Sequence, residues 1–253
     1  MSVTIILSWQ RAAMQRWILA KHRRGKILVD FLKQTILFFR ISWHCELAEK
    51  ERFIAPLCFA STLLLLFNFA FPPLDDSLKS SIFVAEIALT LLFSLQLLLQ
   101  RSFVTELEDR ALDEIRLSRA SLAPFLLAKF LISYLLACIL LCPVLFLGSI
   151  FLEFTLSSFH LKTLLFTLCA LAGLLPLGLL LSLMTFSAKG KEFLFPLLFY
   201  PLSVPVLLAL LEASKIGLAG DFSFNWFIIL LCFDMIYCTL AFLFGPELLQ
   251  LDL

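Results

Sequence analysis

Six long apolar runs limit the folds that this chain can adopt. Each run is long enough to cross the hydrocarbon core of a bilayer, about 30 Å, as a helix that rises about 1.5 Å per residue. The runs are residues 53–71, 81–99, 125–147, 161–186, 193–211 and 226–244. Because a backbone in lipid must satisfy its own hydrogen bonds, all six are predicted to be helices. The sequence therefore predicts an all-α integral membrane protein with about six transmembrane helices.

Composition and charge narrow the class of function. The mean hydropathy is +1.00, and 61% of the 253 residues are hydrophobic while only 15% are charged. Spans and short loops use up residues 53–253, so we expect no separate soluble domain there. With a net charge of +1 and no folded basic domain, nucleic acid is not an expected partner.

The basic residues predict the orientation of the spans. Of the 20 Lys and Arg residues, 17 lie in 1–52, in 101–129 or in 189–191. Because Lys and Arg are retained in short loops on the cytoplasmic side, these segments are predicted to be cytoplasmic, together with both termini.

Residues 1–52 are predicted to be a cytoplasmic basic arm followed by an amphipathic helix at 27–45 that lies in the membrane interface. One side of this helix is apolar and the opposite side is polar. The apolar stripe is Leu28, Leu32, Ile36, Phe39 and Trp43, and the polar side is Asp30, Lys33, Arg40 and His44. An elbow that leads into the first span and a general basic membrane anchor are both compatible with this pattern.

Two carboxyl groups, Glu86 and Asp234, fall inside predicted spans. A charge at that depth costs about 3 kcal/mol or more, so each is expected to face the bundle interior, to be protonated or to find a partner. They could form a polar cavity or carry out a proton step. Alternatively, each could be a neutral carboxyl group that is hydrogen-bonded to a neighbouring helix.

The motifs of common enzymes and metal sites are missing from the sequence. Six of the seven Cys residues lie in spans without CxxC spacing, which favours a structural role. His22, His44 and His160 are dispersed, so no metal site is predicted. The pairs Gly25-Lys26 and Gly190-Lys191 lack the rest of a phosphate-binding loop, so the chain is not expected to bind ATP by itself.

The fifth span contains Pro196, Pro201 and Pro205, each of which lacks the N–H group of an intrahelical hydrogen bond. A bent helix is predicted here. The bend could form a gate, or the prolines could serve helix packing alone.

Residues 101–125 form a charged island with five carboxylates and four arginines. Phe103, Leu107, Ala111 and Ile115 recur every four residues, which predicts a short amphipathic helix over 103–116 on the cytoplasmic side. Such a helix between spans two and three offers a contact surface to a soluble protein. A solvated loop helix without a partner is the alternative.

The island and the fifth span resemble the CcmB family, the haem exporter protein B of cytochrome c maturation, whose members are similar to ABC-2 type permeases. The resemblance covers about residues 35–250. The residues that match the family's coupling helix and its surroundings are Arg101, Phe103, Glu106, Asp109, Leu112, Asp113, Ile115, Ala128 and Lys129, and those in span five are Pro201, Ser203 and Pro205. Arg110 stands where the family usually has Gly.

The resemblance implies a non-catalytic subunit of the bacterial inner membrane, present in two copies and working with the ATPase CcmA, the membrane subunits CcmC and CcmD and the haem chaperone CcmE. ATP would be bound by the partner, haem would be handled by the complex, and no cofactor would be bound by this chain. The implied ATPase-coupling residues are Phe103, Glu106, Leu107, Asp109, Leu112, Asp113 and Ile115.

Two other classes remain open from the sequence. One is the permease subunit of a different ABC-2 exporter. The other is an intramembrane enzyme that uses Asp234 and Glu86.

Overall fold

The computed structural model describes residues 27–48, 51–70, 76–100, 102–103, 122–151, 161–186 and 191–249, and these residues form seven α-helices. The helices are α1 Ile27–Ala48, α2 Glu51–Ala70, α3 Asp76–Gln100, α4 Leu122–Phe151, α5 Leu161–Phe186, α6 Lys191–Leu218 and α7 Phe224–Leu248. No strand occurs in this part of the chain.

Six of these helices, α2 to α7, are long and apolar enough to cross a membrane, which confirms the predicted all-α fold with six spans. Several helices are longer than the apolar runs that predicted them. The helix α4 has 30 residues and α6 has 28. Hydropathy marks the part of a helix that lies in hydrocarbon, whereas the helix itself continues as long as the backbone can pair its N–H and C=O groups.

The centre of the bundle is formed by α3 and α5. Of the most apolar segment of each helix, 67% is buried in α3 and 72% in α5. The corresponding buried shares are 17% in α2 and 11% in α7. The helix α5 packs chiefly against α6 and α7, while α3 contacts α2, α4, α5 and α6. The outer helices therefore leave most of their apolar surface open to the surroundings.

The helix predicted at 27–45 is present as α1, but it packs through a face that the sequence did not single out. Its position in the membrane interface stays a prediction. Leu32 and Ile36 of the predicted apolar stripe are 51% and 65% exposed. The buried residues are Thr35, Phe38 and Ser42, which are three and four positions apart and so share one side of the helix. The helix packs mainly against α4. Leu32 and Ile36 of the stripe are thus left exposed, whereas Phe39 packs against the core of the bundle.

The helix α6 runs without interruption through Pro196, Pro201 and Pro205. Two tyrosine hydroxyl groups hold the segment around the last two prolines. Tyr200 donates a hydrogen bond to Oε1 of Gln96 on α3, and Tyr237 of α7 donates one to the carbonyl of Leu202 at 2.7 Å. The prolines do not end the helix, and a gating role remains a prediction.

A glycine turn joins α6 to α7. Gly220 has a φ of 88°, in the left-handed region that suits glycine. The N–H of Gly220 donates to the carbonyl of Gly217 at 3.1 Å, and the N–H of Asp221 donates to that of Ile216 at 3.2 Å. This is the hydrogen-bond pattern of a Schellman cap, which satisfies the last carbonyl groups of α6.

Candidate functional site

A lysine near the start of α4 is at the centre of the first candidate site. Nζ of Lys129 donates a hydrogen bond to Oε1 of Glu46 on α1 at 3.0 Å. The Lys129 side chain is 0% exposed and that of Glu46 is 5% exposed. Burial of a single ammonium or carboxylate group costs several kcal/mol, which is why such groups occur in pairs with good geometry.

Three aromatic rings are linked to this ion pair by successive contacts. Nζ of Lys129 lies 5.6 Å from the centroid of the Phe103 ring, a distance at which the ring attracts a cation. The Phe103 ring lies 6.4 Å from that of Phe125, which in turn makes an edge-on contact at 5.7 Å with Phe38 of α1. We call Glu46, Lys129 and these three phenylalanines the Lys129 cluster.

Local structure explains why these residues meet. On α4, Phe125 and Lys129 are four residues apart and therefore lie on the same face. After α3 ends at Gln100, the N–H of Ser102 donates to the carbonyl of Leu99 at 3.0 Å. This turn places Phe103 against α4. The cluster consequently joins α1, the turn after α3 and the beginning of α4, which are far apart in sequence.

One of the predicted ATPase-coupling residues is buried among other residues of this chain. Phe103 is 0% exposed and forms part of a turn rather than of a regular helix. Its ring contacts Lys129 and Phe125. The other predicted coupling residues lie outside the described residues: Glu106, Leu107, Asp109, Leu112, Asp113 and Ile115.

The sequence contained one signal for the cluster. Lys129 is a single lysine inside a long apolar span, and such residues need a partner. Its partner Glu46 follows Thr35, Phe38 and Ser42 along the buried side of α1, so a search for polar residues on that side would have found it.

A second polar site lies in the middle of the bundle around Asp234, which is 9% exposed. Its carboxyl group is packed so closely against Gly173 of α5 that a Cβ atom at position 173 would overlap with it. Cys169, one turn earlier on α5, also lies close to Asp234, but Oδ1 of Asp234 has no hydrogen-bond partner among the described residues. Tyr134 of α4 donates its hydroxyl hydrogen to the carbonyl of Leu168 at 3.3 Å. The sequence predicted the inward position of Asp234 but none of these neighbours.

The other intramembrane carboxyl group, Glu86 of α3, is 2% exposed. Both carboxyl groups are therefore buried, which is one of the three outcomes expected for them. Thr90 and Ser94 follow Glu86 at four-residue intervals and are also buried. Within the described part of the chain, both carboxyl oxygens of Glu86 lack a hydrogen-bond partner. Glu86 and Asp234 are thus not hydrogen-bonded to each other.

Over the described ranges, no group of three or more His, Cys, Asp and Glu side chains could hold a metal ion. The cysteines there whose side chains are described are free thiols: Cys58, Cys138, Cys142, Cys169, Cys232 and Cys238.

The fold and the Lys129 cluster can now be compared with known families. The family model described as CcmB protein matches residues 34–249, which include all six spans and every member of the cluster. The chain belongs to the CcmB family. CcmB proteins are membrane subunits of the haem exporter ABC transporter for cytochrome c maturation, so the resemblance found in the sequence is confirmed. None of the curated proteins matches the chain.

Family membership places this chain among the transmembrane subunits of ABC transporters. Both polar sites lie within the matched residues 34–249. The Lys129 cluster contains Phe103, one of the predicted coupling residues, and Asp234 and Glu86 lie within the spans of α7 and α3.

Proposed function

We propose that this CcmB chain couples ATP hydrolysis by a cytoplasmic ATPase to the release of a haem-loaded periplasmic chaperone during cytochrome c maturation. The observation that carries the proposal is the family match across residues 34–249. In this proposal the chain binds no cofactor of its own. CcmA binds ATP, and two copies of the chain assemble with CcmC and CcmD in the bacterial inner membrane, where CcmE receives haem.

The proposal is tested by deleting the gene and, separately, by purifying the tagged chain in mild detergent. Deletion should abolish covalent haem attachment to c-type cytochromes, measured by haem staining of gels. The purified chain should bring down an ATPase. Normal c-type cytochromes together with a co-purified ATPase would instead indicate the permease of another ABC-2 exporter.

The ATPase contact is proposed to lie in the charged island beyond Phe103. Because Phe103 is buried, the apolar anchors for the ATPase would be Leu107, Leu112 and Ile115. Loss of one such anchor from a small interface costs about 2 kcal/mol, or roughly 30-fold in affinity. Leu107→Asp should therefore weaken co-purification of the ATPase at normal abundance of the chain, while Arg119→Ala should have little effect. Normal recruitment by Leu107→Asp would count against this contact.

The orientation is tested by thiol labelling in intact cells. A cysteine introduced at position 157 should react with a membrane-impermeant reagent, whereas one at position 250 should not, because both termini are proposed to be cytoplasmic. Labelling at position 250 before lysis would reverse the proposed orientation.

A further inference from the structure

Three segments that are distant in sequence meet at the side chain of Lys129. Glu46, which accepts its hydrogen bond, lies 83 residues earlier on α1. Phe103, whose ring lies near its ammonium group, belongs to the turn after α3. Both contacts are buried, so water does not screen them as it screens a surface ion pair. Relative movement of any two of these segments would separate the charges or uncover them.

The ion pair adds something that the aromatic contacts do not supply. Phe38, Phe103 and Phe125 already bring the same three segments together through ring contacts. Apolar packing of this kind tolerates small displacements and changes of partner. A buried ammonium–carboxylate pair is directional, and it often adds little net stability while favouring one arrangement over others.

This ion pair lies close to the segment through which the ATPase would move the chain. Phe103 lies within the charged island and is the last described residue before 104–121, the part of the island to which the proposed function assigns the ATPase contact. Leu99, whose carbonyl accepts the hydrogen bond of the turn, is packed so closely against Gly178 of α5 that a Cβ atom at position 178 would overlap with it. A displacement of the turn would therefore reach α1, α4 and α5.

We infer that Lys129 is a positioning residue for energy coupling: through Glu46 and Phe103 it holds α1 and the turn after α3 on α4, so that the ATPase moves these three segments as one unit. The inference rests on the proposed function. It assigns no contact with ATP or haem to Lys129. The result of losing the pair is a complex that hydrolyses ATP without passing the movement to the membrane helices.

The first experiment uses the complete complex with three forms of the chain. Lys129→Met removes the ammonium group, and Lys129→Met/Glu46→Gln removes both charges, so that no carboxylate loses its partner. The matched control is Lys215→Met/Glu212→Gln, which removes an exposed ion pair. For each form, the amount of co-purified ATPase and the amount of haem-loaded chaperone released per ATP hydrolysed are measured in vesicles.

We expect the doubly neutral variant to retain the ATPase within about twofold of wild type but to release at least about fivefold less chaperone per ATP, a change within the usual range of coupling between sites. The control should match wild type in both measurements. A doubly neutral variant with normal chaperone release per ATP would overturn the inference, because the pair would then serve only to stabilise the fold. Failure of the wild-type chain to bring down an ATPase would instead overturn the proposed function and, with it, the inference.

A second measurement does not depend on the folding of the Lys129 variants. Spin labels at Arg40 on α1 and Leu131 on α4, both exposed, would report the distance between these helices by electron–electron resonance. In a complex with the native Lys129–Glu46 pair, this distance should be the same without nucleotide and with ATP bound. A shift of about 5 Å or more, one helical turn, would show that α1 and α4 move separately and would overturn the inference.

Discussion

Two lysine–glutamate pairs at opposite ends of the bundle differ in their distance, in their burial and in the segments that they join. At one end, Lys129 and Glu46 are 3.0 Å apart and 0% and 5% exposed. At the other end, Lys215 and Glu212 are 2.5 Å apart but 54% and 43% exposed, and they are neighbours on a single helix turn. The Lys215–Glu212 pair has the shorter distance, but we expect it to contribute less to stability. The reason is that solvent around the exposed charges weakens their attraction. The comparison teaches that burial and the segments joined, more than distance, decide what an ion pair does.

The largest effect that this comparison predicts is that of Lys129→Met. It leaves the Glu46 carboxylate without its ammonium partner in a buried position, and breaking such a pair costs about 3–5 kcal/mol. The free energy of unfolding in detergent micelles, measured by denaturant titration, should fall by about this amount. Glu46→Gln added to Lys129→Met should restore much of the loss. An unchanged unfolding curve for the single variant would show that the buried pair contributes no more to stability than the exposed pair does.

The next largest effect is expected for Phe103→Ala. The substitution removes a fully buried ring that contacts Phe125 and Lys129, and such a truncation costs about 3 kcal/mol. The control is Phe69→Ala, because that ring is 85% exposed and should lower the unfolding free energy far less. Equal losses for the two substitutions would contradict the buried position of Phe103.

A smaller effect is expected at the other end for Lys162→Met. The Lys162 amine donates to the carbonyl of Gly220 in the turn between α6 and α7, and a hydrogen bond that involves a charged group contributes about 1.5 kcal/mol. Amide hydrogen exchange at Gly220 and Asp221 should become faster in the variant, while exchange in α1 should not change. Faster exchange in α1 would mean that the two ends of the bundle are not independent.

The smallest effect is expected for Lys215→Met, which should change the unfolding free energy by less than about 1 kcal/mol. Raising the salt concentration should weaken the Lys215–Glu212 pair through screening and leave the Lys129–Glu46 pair almost unaffected. Thermal unfolding in low and high salt measures the difference. A loss of 3 kcal/mol at Lys215 would show that exposure does not separate the two pairs.

The spans could be predicted from the sequence because the bilayer sets their length and demands a helical backbone. The faces through which the spans pack against one another could not be predicted, since lipid and the interior of the bundle are both apolar. Phe69 and Phe103 illustrate the difficulty, because the same side chain is 85% exposed at one position and 0% exposed at the other. The apolar stripe of α1 shows it as well: Leu32 and Ile36 are exposed, and the packed face carries Thr35 and Ser42.

The polar sites were predictable only in part. The cost of a charge in lipid predicted that Glu86 and Asp234 would face the bundle interior, be protonated or find a partner, and both are buried. Their neighbours depend on the register between helices, which no local pattern contains. Gly173 faces Asp234 across 61 positions of sequence, and Glu46 pairs with Lys129 over 83. The ATPase contact proposed within 104–116 remains a prediction, since those residues are not described.

The separation between Glu46 and Lys129 also has a consequence for how the protein is made. A ribosome that adds about 5–20 residues per second needs roughly 4–17 seconds to reach Lys129 after Glu46 has been synthesised. During this interval α2 and α3 are made, while the Glu46 carboxylate has to stay in water or among lipid headgroups. Lys215 follows Glu212 within a second, so that pair can form as soon as the helix turn does. The order of synthesis therefore makes the docking of α1 a late event, and any factor that holds nascent membrane helices would meet this chain with its first helix not yet in place.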